Sequence, residues 1–265
     1  MNGDWEPMWV GPLAQRLYAA FHPALGHPSV GVVLAPPLLH ELPRSRRFIM
    51  EIAAELAEHG LPCLRFDYYG TGDSGGTGDG MDFSTMRRDL GIAVSALKQR
   101  TPVRRVCLLA WRGSALALCG WANENDASDL LVLCDPILDG AGWLRRLIHT
   151  DARERLLRPP LRKGVPRITD QGDGQLMGFA ASPSLRADIE VAHLNRVGLG
   201  QRRVWAMVRD EQETRLLSVD RTIVLPADTP CFNDDAAMDS TFFLTPRTRD
   251  VVGELGSAIQ QEMRA

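Results

Sequence analysis

The chain has 265 residues, 45% of them hydrophobic, enough for one sizeable core or at most two small ones. Its 30 Lys plus Arg against 33 Asp plus Glu leave a formal charge of −3, which argues against a nucleic-acid partner, since such proteins carry a basic excess. The longest apolar runs fall far short of the roughly 20 residues that span a bilayer, and no basic-then-apolar leader opens the sequence, so the expected location is the cytoplasm.

Strand-like and helix-like segments alternate from the first quarter onward. Residues 16–22 read as an early edge strand. Val30–Ala35 (VGVVLA) is a short continuous apolar run stopped by Pro36 and Pro37, which suits a buried parallel strand. Over 45–59, Phe48, Ile52 and Leu56 recur at helical spacing, and Gly60 stands where a C-cap would be. A strand over 63–66 leads into a Gly-rich loop, 69–80. A helix over 86–99 follows, with Leu90, Val94 and Leu97 on one face. Then come a strand at 106–110, a helix at 115–123 and a strand at Leu130–Cys134. Such alternation implies right-handed crossovers and a mostly parallel, doubly wound α/β sheet.

The middle of the chain breaks this rhythm. Residues 140–200 are Arg-rich, carry Pro159 and Pro160, and show two partial helices, 142–157 and 185–194. An excursion of that size between strands predicts an inserted helical cap rather than a plain loop. Alternation resumes with strands at 204–208 and 222–225 and a last helix at 247–263. The expected division is a core of 1–139 and 201–265 with a cap or lid at 140–200. The five Cys (63, 107, 119, 134 and 231) are odd in number and show no CxxC spacing, so neither a disulfide framework nor a structural zinc site is expected.

Open α/β sheets place their sites in the turns after strand ends. Three such turns stand out. The first is APPLLHE, from Ala35 to Glu41, running on to Ser45-Arg46-Arg47. The second is RFDYYGTGDSGG, from Arg65 to Gly76, in which Asp67 and Asp73 are expected to bond backbone amides and hold the turn. It lacks the GxxxxGK[ST] spacing of a nucleotide loop, and no cofactor is expected. The third is CLLAWRGSA, from Cys107 to Ala115, a strand turning tightly into a helix of small residues.

In this order the three turns resemble the α/β-hydrolase superfamily, and within it the bacterial serine-aminopeptidase-like hydrolases, including those associated with exosortase systems. The marker is RFDYYGTGDSGG; LVLCDP (131–136) is similar to the strand that precedes the cap in that group, and GFAASPSLRADI (178–189) to a cap segment. The resemblance implies an α/β-hydrolase fold with a nucleophile elbow G-x-S-x-G, an acid after a later strand and a His after the last one. Here the elbow reads Ala110-Trp111-Arg112-Gly113-Ser114. Arg112 holds the nucleophile's position, and a guanidinium cannot attack a carbonyl. All six His precede the expected final strand. Standard serine-hydrolase activity is therefore not expected.

Alternatives remain for each candidate. Ser114 is either a displaced nucleophile or a small residue needed for close helix–strand packing. Cys231, in the loop that normally carries the His, is either a reactive thiolate or a packed side chain. His40 is a relocated base or a solvated or capping residue, and Asp210 is the usual triad acid or a solvated turn residue. Arg112 is the informative position, because a cation beside a helix N-terminus is unfavourable without an anion nearby. That anion is Asp135, Glu41 or a ligand. Either Arg112 forms a buried ion pair that plugs the old nucleophile site, or its planar fork clamps a substrate carboxylate or phosphate.

The expected catalytic set is Arg112, Asp135, His40 and Glu41, with Trp111, Ser114, Leu38 and Cys231 as binding residues and no metal. The first functional reading is non-standard chemistry on an acyl ester, a thioester or an acidic small molecule, free or carrier-bound. The alternative is a non-catalytic binding or interaction protein. The sequence carries no signal for an oligomeric state.

Overall fold

A computed structural model describes residues 5–124, 129–157, 174–195, 197–199, 201–210, 217–232 and 241–264. Pro159 and Pro160 lie outside them. Ten strands and six helices are laid out in chain order among the described residues, and eight of the strands form one sheet. The first two are β1 (Glu6–Val10) and β2 (Leu17–His22), an antiparallel pair at one edge. Next come β3 (Val30–Ala35), α1 (Glu41–Glu58), β4 (Cys63–Phe66) and α2 (Phe83–Arg100). They are followed by β5 (Arg105–Trp111), α3 (Ser114–Glu124) and β6 (Leu130–Cys134). From β6 the chain runs through α4 (Gly140–Leu157), a small hairpin of β7 (Gln175–Leu176) and β8 (Phe179–Ala180), and α5 (Pro183–Val191). It returns to the sheet as β9 (Arg203–Val208) and β10 (Arg221–Val224), and ends in α6 (Pro246–Arg264).

The strand order is β1-β2-β4-β3-β5-β6-β9-β10, and every pair from β4 to β10 is parallel. The chain moves outward from β3 to β4, then crosses back to lay β5 on the other side of β3. That reversal is the topological switch point, and the crevice at the C-terminal ends of β3 and β5 is where such sheets put ligands.

Parallel strands covered on both faces should be apolar throughout, and β5 shows why. Its side chains alternate with period two. Val106, Leu108 and Ala110 join the core formed with α2 and α3, while Cys107, Leu109 and Trp111 join the one formed with α1 and α6.

Two sequence expectations need correction. Residues 16–22 are not an edge strand, because β1 lies outside β2 and pairs with it from Glu6↔Phe21 to Val10↔Leu17. Pro7 and the charges near it mask β1 in the sequence, yet the Trp9 and Tyr18 rings meet edge to face at 5.9 Å across the pair. The second correction concerns α2, which begins at Phe83, three residues before its apolar spacing becomes regular. Asp82 caps it, accepting from the Thr85 amide at 2.8 Å, while the Thr85 hydroxyl accepts from the Asp82 amide at 2.9 Å.

The two ends of the segment between β6 and β9 meet in a close backbone approach, where α4 starts against the end of α5. A Cβ at Gly140 would lie 2.0 Å from the Ile189 carbonyl oxygen and 2.9 Å from that of Ala192. Both are backbone atoms, so only glycine lets α4 start against α5. Gly140→Ala should therefore destabilise the fold by about 1–3 kcal/mol through overpacking, read as a lower urea midpoint at an unchanged m-value.

Candidate functional site

Three sharp turns converge at the switch point, and each holds a non-glycine residue with positive φ: Leu39 (53°) after β3, Arg112 (53°) after β5 and Asp135 (43°) after β6. Such backbone costs of order 1–3 kcal/mol per residue and persists only where the surroundings over-determine it. The β5–α3 turn is thus a strained elbow with Arg112 at its apex. Gly113 next to it is required, since a Cβ there would lie 2.5 Å from the Trp143 ring of α4 and 3.3 Å from Leu38.

Arg112 is 2% exposed. Its Nε and Nη2 both donate to Oε1 of Glu41, at 3.3 and 3.2 Å. Nη1 donates to the Asp135 carbonyl at 3.1 Å and lies 3.5 Å from Asp135 Oδ2. The Phe232 ring centroid is 5.7 Å from the guanidinium carbon, within cation–π range. The two candidate carboxylates are therefore both engaged by one cation. Burial works against the charge on Arg112, but Glu41 and Asp135 more than offset it and hold the pKa above the ordinary arginine value. Burial dominates at Glu41 and pushes its carboxyl up, with Arg112 opposing.

A second arginine completes the network, and sequence reasoning missed it. Arg209, just past β9, donates from Nε to Asp135 Oδ2 at 3.3 Å and from its other nitrogens to the carbonyls of Thr229 and Pro230. It ties the loop expected to carry a catalytic His to the acid after β6. The sequence signal for it is its place after a strand end, beside Asp210. Phe232 and Trp143 were also missed, because an aromatic residue in a loop or helix does not announce which cavity it faces.

The other expected residues are placed as follows. Ser114 is fully buried and its hydroxyl donates to the Pro36 carbonyl, turning it toward the loop after β3. Trp111 packs among Phe48 and Phe232, at 5.3 and 6.0 Å between ring centroids, in the core beneath α1 and α6. Leu38 is buried against the elbow, and Cys231 is half-buried, near enough to Arg112 to act on its charge. His40 is buried rather than solvated, and its side chain does not cap α1. Asp67 holds the Gly-rich turn as expected, accepting from the Asp73 amide at 3.1 Å while pairing with Arg46 at 3.1 Å.

His40 and Glu41 open onto a cleft of about 830 Å³. Trp143, Leu147, Met177 and Phe232 form its apolar lining; Arg145, Arg146 and His149 line it from exposed positions on α4, and Asp139 adds one carboxylate. Leu38, Trp111, Arg112, Ser114, Asp135 and Cys231 are not in that lining. Among the described residues, no group of three or more His, Cys, Asp or Glu is arranged to hold a metal ion, and no helix is long and apolar enough to cross a membrane.

The family model for serine aminopeptidase, S33, matches residues 35–199, more than half of the chain. The chain belongs to that family. Solved structures of α/β hydrolases share its fold at low identity. A hypothetical protein of Pseudomonas aeruginosa is 13% identical over 97% of this chain and 94% of its own, with a TM-score of 0.64. Est1E of Butyrivibrio proteoclasticus, seen with ferulic acid bound, is 16% identical over 96% and 99%, with a TM-score of 0.61. A serine hydrolase of Xanthomonas campestris described as lacking a lid is 16% identical over 100% and 95%, at 0.52. No curated protein matches the sequence.

Breaking a buried pair leaves an uncompensated charge, whereas replacing both partners with apolar groups often does not destabilise. Arg112→Leu should thus cost about 3–5 kcal/mol, because Glu41 loses its counter-charge while Asp135 keeps Arg209. Adding Glu41→Met should recover most of that loss. Urea unfolding of the single and double variants measures both.

Proposed function

We propose that this serine aminopeptidase-family chain binds an acidic, partly apolar small molecule of the acyl type, free or on a carrier, and does not hydrolyse it by the serine route. The observation that carries the reading is the burial of Arg112. A guanidinium at the elbow apex, 2% exposed and enclosed by Glu41 and Asp135, has no free face for a substrate and no nucleophilic atom to offer. Ser114, two residues on, bonds a backbone carbonyl. With no His after β9, no side chain of the usual type would deprotonate it there.

The adjacent cleft supports a retained use. Its volume falls in the range of small-molecule sites, its lining mixes Trp143, Leu147, Met177 and Phe232 with polar groups, and Arg145 and Arg146 bring positive charge beside the carboxylates of Glu41 and Asp139. Strained turns at Leu39, Arg112 and Asp135 maintain this geometry although the nucleophile is gone. In this reading residues 140–200 act as the cap over the cleft, with α4 supplying one wall. The plugged elbow makes the protein a pseudo-hydrolase that keeps its fold and pocket.

A second reading, acyl chemistry by a non-standard route, is favoured by one feature. Glu41 lines the cleft with its pKa raised by burial, as a proton-transfer group would need. Incubation with p-nitrophenyl esters, a fluorophosphonate probe and decanoate separates the readings. The expected outcome is no ester turnover above background, no covalent labelling, and a saturable thermal shift with decanoate. Fluorophosphonate-sensitive turnover would overturn the binding reading, and probe-insensitive turnover lost in Glu41→Gln would favour the second.

A further inference from the structure

The cleft of about 830 Å³ and the elbow lie side by side, and Trp143 of α4 touches both. It lines the cleft although only 2% of it is exposed. The far edge of its ring is pressed onto the elbow. Cη2 and Cζ3 are 2.5 and 2.8 Å from the place a Cβ on Gly113 would take, and Leu38 Cδ1 is 3.3 Å from that place. Leu38 and Gly113 are themselves absent from the cleft lining. The ring has no room to retreat from the cleft, because the backbone of the turn already touches it. The start of α4 is fixed as well, since its first residue, Gly140, meets the carbonyls of Ile189 and Ala192.

A second observation concerns Met177. The two-residue turn of the β7–β8 hairpin is Met177-Gly178, and both residues have positive φ, 55° and 81°. Such turns favour Asn or Asp before Gly, so a methionine there holds a costly backbone conformation. Met177 is nevertheless buried and lines the cleft, and its amide donates to Asp151 Oδ1 of α4 at 3.2 Å. Leu147, one helical turn beyond Trp143, lines the cleft too. Apolar side chains of this kind, one of them an adaptable thioether, suit a flexible alkyl chain.

We propose that Trp143 determines the length specificity of the cleft: its ring is the stop that limits how long an alkyl chain the cleft accepts, with Leu147 and Met177 beside the chain. The inference rests on the binding reading above and adds to it the rule by which the cleft selects among acids. Each methylene that fits inside gains apolar contact. The first that does not fit meets an indole ring backed by the elbow. Replacing that ring with a methyl group joins its volume to the cleft, because Trp143 is part of the lining.

The test is isothermal titration calorimetry of the full chain with the even-numbered straight-chain carboxylates from butanoate to tetradecanoate, each below its micelle concentration. Wild-type affinity should rise by roughly fourfold per added methylene, the gain for burying one, and then stop rising at a definite length. Trp143→Ala should move that limit to a longer acid, and Trp143→Phe should move it less. Ile148→Ala, on the same helix but exposed and outside the lining, should leave the limit where it is. Met177→Asn suits the hairpin turn better and should still weaken the acids, because the apolar side chain is lost. Thermal melts check that each variant is folded. If Trp143→Ala is not, Trp143→Phe carries the comparison, and the wild-type series needs no variant.

A wild-type affinity that keeps rising to the longest acid would overturn the inference while leaving the binding reading standing. A limit that stays put in the folded Trp143 variants would overturn it too, as would one moved equally by Ile148→Ala, since a disturbed α4 would then suffice. Unchanged affinity in Met177→Asn would remove Met177 from the chain's surroundings. Binding of none of the acids would sink the binding reading and this inference together.

Discussion

The structure around the switch point is organised by a cation that has to be neutralised out of water. Arg112 sits at the apex of a strained turn, at the N-terminal end of α3, where the helix dipole is unfavourable to positive charge. Burying a guanidinium there is tolerable only with anions in contact, and they come from two different turns: Glu41 at the start of α1 and Asp135 after β6. Arg209 then balances Asp135 from beyond β9 and holds the loop at Thr229 and Pro230. Four strand ends, those of β3, β5, β6 and β9, are in this way drawn together by one chain of alternating charges.

That network gives the elbow of this hydrolase fold a structural role. In a serine hydrolase the elbow presents a hydroxyl to the cleft. Here the strained turn, with φ 53° at Arg112, faces that side chain into the protein, and the neighbouring cleft is lined by His40, Glu41 and Phe232. Gly113 is still needed at the next position, because Trp143 of α4 packs directly on the turn. The elbow is a contact point between the sheet and α4, which follows β6.

Much of this was legible beforehand, for identifiable reasons. The apolar runs of β3, β5 and β6 are continuous because parallel strands are covered on both faces, so the doubly wound sheet could be read from them. The dipole argument required an anion beside Arg112, and Glu41 and Asp135 were its candidates. What it could not say is that both would be used, or that Asp135 would be shared with Arg209. β1 escaped because Pro7 and flanking charges break the alternation that marks a strand, and its pairing depends on β2 rather than on local propensity. The sequence leaves His40 as a base, a solvated residue or a cap, and the turn before α1 folds inward and buries it.

Residue types and their spacing were enough for the fold class, for the three turns after β3, β4 and β5, and for the observation that an arginine stands at the elbow and no His follows β9. Those follow from residue type and period, which are local properties. Which charges meet is a matter of packing. It set Glu41 and Asp135 around one guanidinium, brought Arg209 to Asp135 across 74 positions of sequence, left Glu41 Oε2 without a donor, and put Phe232 and the α4 arginines around a common cleft. Ion pairing and cavity shape depend on distances between turns on different strands, and those distances are set by the packing of the sheet rather than by the order of residues along the chain.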